Sequence, residues 1–81
     1  VSERKPSERW RFQGGTRWVL PFSDYCFAYA FGEAPDFEWQ IFFHGQVADG
    51  GVEDRLADAQ LAAEDALLEI AREIREAVGR G

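Results

Sequence analysis

The stretch from Asp54 to Gly79 constrains this chain more than any other. Projected at about 100° per residue, Leu56, Ala59, Ala63, Ala66, Leu67, Ile70, Ile74, Ala77 and Val78 fall within roughly a third of the circle. That spacing predicts one amphipathic helix, with Asp54 as its N-cap, Arg55 to Val78 as its body and Gly79 as its C′ residue. At about 1.5 Å per residue it spans about 36 Å. An apolar stripe of that length needs a partner layer, and the residues before it supply a sheet.

Residues 1–7 show no periodicity, contain Pro6 and read as a tail. Glu8 to Gln13 alternates, Gly14-Gly15 is a hairpin signal, and Thr16 to Pro21 returns, with Pro21 ending the strand or marking a sheet edge. Tyr25 to Phe31 is the clearest strand. Tyr25, Phe27, Tyr29 and Phe31 share one face, and Cys26, Ala28 and Ala30 share the other. After the turn Glu33-Ala-Pro-Asp36 the chain returns through Phe37 to His44. Pairing across that turn sets Ala30 against Trp39, Ala28 against Ile41 and Cys26 against Phe43. Small residues opposite large ones leave room for a helix. The other face sets Tyr29 beside Gln40, Phe27 beside Phe42 and Tyr25 beside His44. A one-residue slip would exchange the faces. Gly45 is expected to break the strand, and Asp49-Gly50-Gly51 to turn the chain.

The expected fold is α+β, in two layers: an antiparallel sheet of three to five strands under one long C-terminal helix. Residues 1–81 form a single domain: a tail over 1–7, the sheet over 8–53 and the helix over 54–79. Seven Phe, three Trp and two Tyr give this short chain large rings to bury.

A single cysteine, Cys26, excludes an internal disulfide and suits a reducing compartment. No apolar run approaches the roughly 20 residues of a membrane span. The polar opening residues do not read as a signal peptide, so a cytoplasmic location is expected. Net charge is −6, divided unevenly: five cations against two carboxylates give +3 over residues 1–17, and the remainder carries −9. Such a chain repels phosphate backbones and attracts basic surfaces, so no direct nucleic-acid binding is expected. Solubility alone also accounts for the charge.

No catalytic residue is assigned, and the chain is read as a non-enzyme. His44 is the only histidine, and Cys26 is expected on the opposite face of the sheet, without a nucleophile motif around it. Asp49, Glu53 and Asp54 lack the EF-hand spacing of an oxygen-ligand loop, and one Cys with one His is a poor donor set for zinc, so no metal or cofactor is expected.

The candidate partner-binding residues lie on the helix. Asp58, Asp65, Glu69 and Glu76 fall within about 40° of one another, with axial gaps of roughly 10, 6 and 10 Å. A line of carboxylates at that spacing can imitate a nucleic-acid backbone for a basic partner. It can equally be a solvated face, with Arg72 neutralising Glu69 and Glu76. Leu61 and Leu68, one heptad apart beside this stripe, are candidate apolar anchors unless the core is wider than the arc above. The Tyr25–Phe31 rings could stack bases, but Asp24, Glu33, Asp36 and Glu38 surround them, and the N-terminal hairpin is expected to cover them.

The C-terminal half, Phe37-Glu-Trp-Gln-Ile-Phe-Phe-His-Gly45 through Ala48-Asp-Gly-Gly51 and Leu56-Ala-Asp-Ala-Gln-Leu-Ala-Ala-Glu-Asp-Ala-Leu67, resembles a strand–turn–helix ending of small phage and mobile-element proteins. Its Ala-spaced helix is also similar to double-stranded RNA-binding folds, whose Lys-rich helix start is replaced here by Arg55 and Asp58. A compact acidic chain of this kind resembles phage anti-CRISPR inhibitors of the DNA-mimic type. That resemblance implies an inhibitor that occupies the nucleic-acid site of a larger basic protein in a bacterial host cell. The alternative is an antitoxin-like or other self-associating interaction module, a homodimer formed through the aromatic strand face or through Leu61 and Leu68.

Overall fold

The computed structural model describes residues 4–80, with side chains described through Arg75. Five strands, β1 (Arg11–Gly14), β2 (Arg17–Ser23), β3 (Cys26–Glu33), β4 (Asp36–Phe43) and β5 (Gln46–Glu53), precede one helix, α1 (Leu56–Arg80). The strands form a single antiparallel meander in the order β1-β2-β3-β4-β5. The helix lies across one face of β3, β4 and β5. The two-layer α+β architecture is therefore the one the sequence predicts, with the upper strand number.

Every strand connection is a two-residue turn. The β4–β5 turn is His44-Gly45, both at positive φ (54° and 77°), as a tight hairpin of primed type requires. The β3–β4 register agrees with the expected one: Cys26 pairs with Phe43, Ala28 with Ile41, Ala30 with Trp39, Phe27 with Phe42 and Tyr29 with Gln40. The His44 N–H donates to the Tyr25 carbonyl at 2.9 Å, and the two rings stack with centroids 4.6 Å apart.

The core lies between the small face of the sheet and the helix. Cys26, Ala28, Ala30, Trp39 and Ile41 meet Ala59, Ala63 and Leu67, while Leu20 and Trp10 close one end. Alanines on both surfaces let the helix sit close to the sheet, and the large rings fill its flanks.

Several expectations are corrected. The first strand starts at Arg11, not Glu8, because the chain turns at residues 8–9 to bury Trp10. Residues 4–7, expected as part of a tail, lie against the helix: the Ser7 N–H donates to Glu64 Oε2 at 2.8 Å, and Arg4 pairs with Asp65 at 2.7 Å. Pro21 does not end its strand, since β2 continues to Ser23. β1 stops at Arg11 opposite Val19, so β2 is an edge at Pro21, where a missing N–H breaks no ladder. Asp49-Gly50-Gly51 does not turn the chain but lies within β5, opposite Ile41, Gln40 and Trp39.

The helix starts one residue late. The Ala59 N–H donates to the Arg55 carbonyl at 3.0 Å, which places Arg55, not Asp54, at the N-cap position. The helical backbone continues through Gly79 to Arg80 instead of ending there. Ile74, expected in the core, is 40% exposed. Eight-residue strands reach about 27 Å, whereas the 25-residue helix reaches about 37 Å, so its last turns overhang the sheet. Ala77 and Val78, also expected in the core, lie outside the described side chains.

Candidate functional site

The sheet has a second face, and strand alternation decides what it presents. Phe27, Tyr29 and Phe31 from β3 share it with Glu38, Gln40 and Phe42 from β4. Val19 and Pro21 from β2 pair with Tyr29 and Phe27, and Val47, Gly50 and Val52 from β5 pair with Phe42, Gln40 and Glu38. No element covers these residues among those described: the helix and residues 4–10 occupy the other side. The expected cover, the N-terminal hairpin, instead extends the sheet in its own plane. With only Gly15 and Thr16 between β1 and β2, the chain has no length in which to fold back over the rings.

This face forms an open concavity of about 650 Å³, walled by Tyr25, Phe27, Tyr29, Phe31 and Phe42, with Arg17, Gln40 and His44 at its polar margins. Phe27, Tyr29, Phe31 and Phe42 are each half-buried by their neighbours, and Tyr25 is exposed. Tyr29 and Phe42 meet edge to face at 5.3 Å, and the Arg17 guanidinium lies 5.6 Å from the Tyr29 ring centre. Arg17 and Arg11 lie on the β1–β2 side of this face, Glu38 and Asp36 on β4, Glu33 on β3 and Asp24 at the β2–β3 turn. A contiguous aromatic surface with no covering element among the described residues is unusual on a small domain.

The helix-borne candidates are less concentrated. Asp58 and Glu69 are exposed, Asp58 lies 3.9 Å from Arg55, and Asp65 is taken up by Arg4. Both ion pairs are solvated and contribute about 0–1 kcal/mol each, but Arg4 neutralises the middle of the stripe. The Glu76 side chain lies outside the described residues. Leu61 is half-buried, so the structure separates it from Leu68, which is 59% exposed. Leu68 borders a narrow groove with Leu20, Pro21 and Phe22.

Cys26 and His44 are not brought together as a reactive pair. Cys26 is 2% exposed on the helix side of the sheet, and His44 stacks on Tyr25 in the β4–β5 turn. Burial pushes the Cys26 thiol above its ordinary range. The unfolded chain therefore releases this proton first. The contribution to stability is full below the ordinary thiol pKa of about 8.5 and is lost as pH rises through the folded value. The urea midpoint is expected to fall between about pH 8 and about pH 10, and Cys26→Ala to reduce that fall. Thiol labelling of the folded chain as fast as that of the urea-unfolded chain would contradict the burial.

Among the described residues no group of three or more His, Cys, Asp or Glu side chains is placed to hold a metal ion, and no helix is long and apolar enough to cross a membrane. Comparison with family models, with curated proteins and with solved structures gave no match.

Proposed function

We propose that this chain is a non-enzymatic protein-interaction module that binds through the open aromatic face of its sheet. The observation that carries this reading is the row of Phe27, Tyr29, Phe31 and Phe42 on a face that no described element covers. A protein partner fits better than a nucleic acid, because Glu33, Asp36 and Glu38 line one end of the rings and the chain carries a net charge of −6. Aromatic anchors framed by a few charges are the usual composition of the energetic centre of an interface.

A second reading keeps the acidic helix as the working surface of an anti-CRISPR-like inhibitor, encoded by a phage or mobile element and acting in the cytoplasm of a bacterial host. The exposure of Asp58 and Glu69 on one side of α1 favours it, and the Arg4–Asp65 pair weakens it. Photo-crosslinking from two positions separates the readings. A crosslinking amino acid placed at Phe31 is expected to yield protein adducts in bacterial lysate, and the same group at Glu69 to yield few. Adducts from Glu69 alone would transfer the function to the acidic face, and adducts from neither would remove both readings.

A further inference from the structure

We infer that the open face pairs with the same face of a second copy of this chain, the two related by a twofold axis parallel to β3. This rests on the reading of that face as a binding surface and names its occupant. Strand register places two opposite charges beside one ring. Trp18 pairs with Ala30, which sets Arg17 beside Phe31, and Phe31 pairs with Glu38. Arg17 and Glu38 therefore flank Phe31 in a single row, one on β2 and the other on β4, and both are exposed.

Two orientations of a twofold axis bring the same sheet faces together with strands aligned, and centring the faces on Tyr29 leaves one arrangement of each. If the axis runs along β3, each β2 lies over the β4 of the other copy. Arg17 then faces Glu38 of the second copy twice, Pro21 faces Phe42, and the β3 rings meet their own counterparts. Arg11 on β1 comes over Gly50 on β5, which presents no side chain. If the axis instead crosses the strands at Tyr29, Arg17 falls on Pro21 and Glu38 on Phe42. That arrangement buries two unpaired charges per copy against apolar groups, which is strongly unfavourable. The Arg17, Glu38 and ring positions are thus self-complementary about the first axis, as an isologous contact requires, and Glu33, which meets its own counterpart, stands at the exposed end of the face where salt screens the pair.

Area is sufficient. Strands about 4.8 Å apart and about 3.4 Å per residue give a projected face of about 500 Å² per copy, hence about 1,000 Å² in all, at the lower limit of specific interfaces. Sheets packed face to face hold their strands within about 30° of each other, which the twist of a five-stranded meander accommodates.

Sedimentation equilibrium over about 5–500 µM protein, in about 0.15 M salt to screen the net charge of −6 on each copy, tests the pairing. The native chain is expected to dimerise. Arg17→Glu and Glu38→Arg are each expected to weaken the dimer about tenfold or more, and the double variant to recover most of the loss, since the exchanged charges again face each other. Both side chains are exposed, so circular dichroism should show all three variants folded. A native chain that stays monomeric throughout, or a double variant no tighter than the singles, overturns the inference. A monomer that still gives protein adducts from Phe31 overturns self-pairing alone, whereas a monomer without them overturns the open-face reading as well.

Discussion

Replacing Trp10 by alanine is expected to destabilise the chain by about 3–5 kcal/mol, a large part of the roughly 4–12 kcal/mol available to a domain of this length. Trp10 lies in the irregular segment before β1, yet it is 7% exposed and belongs to the core beside Leu20 and Leu67. Its indole N–H donates to Glu64 Oε2 at 2.8 Å, and the same oxygen accepts the Ser7 N–H at 2.8 Å. One carboxylate on the helix thus fastens the N-terminal segment at two points, and the ring joins Leu20 of β2 to the core that α1 forms with β3, β4 and β5. Removing the ring leaves a cavity and also loosens this attachment.

Glu64→Ala should cost less, about 1–3 kcal/mol, because it leaves the ring in place but takes the acceptor from two donors. Glu64→Gln, which keeps an acceptor oxygen, should cost least of the three. Urea unfolding checks the series, with the midpoint falling and the slope unchanged if only the native state is affected. A Trp10→Ala variant within about 1 kcal/mol of the native chain would mean that the segment contributes little to the core.

The Trp10–Glu64 attachment could not be read in the chain. A tryptophan in a polar stretch carries no periodicity, and contacts between residues 54 positions apart have no local signature. What was legible followed from period. The apolar stripe of α1 and the alternation of β3 and β4 each specify a face, and the turn Glu33–Asp36 sets the register that places small residues opposite large ones. Within the helix the same logic failed at Ile74, because period does not say where the opposing sheet ends. The candidate surface was half legible. The Tyr25–Phe31 alternation was visible, but whether another element covered it depended on topology. The decisive signal was the shortness of the connections: a chain that turns in two residues four times keeps its strands in one layer. The charge stripe shows the opposite failure. Asp58, Asp65 and Glu69 do line one side of the helix, and only the folded chain brings Arg4 to Asp65.

Gly50 and Gly51 carried the most misleading local signal. A glycine pair after an aspartate reads as a turn, yet both residues are paired within β5. At Gly51 the reason is the Trp39 indole. A Cβ there would lie 2.7 Å from Nε1, 2.9 Å from Cε2 and 3.0 Å from Cζ2, distances that no methyl group tolerates. The ring lies against bare backbone, and its Nε1 has no hydrogen-bond partner among the described residues, a burden of about 1–3 kcal/mol that the ring's buried area must outweigh. Gly51→Ala is therefore expected to cost about 1–3 kcal/mol through overpacking, and Trp39→Ala about 3–5 kcal/mol through the cavity it leaves. The two sites should also be coupled. Trp39→Phe shortens the ring on the side that the new methyl group would strike, so Gly51→Ala should cost at least about 1 kcal/mol less in that background than in the native chain. Additive costs in the double-mutant cycle would show that the glycine serves the β5 backbone and not the indole. A coupled result assigns Gly51 to the ring: β5 leaves out a side chain opposite Trp39, and the indole occupies that space in the core.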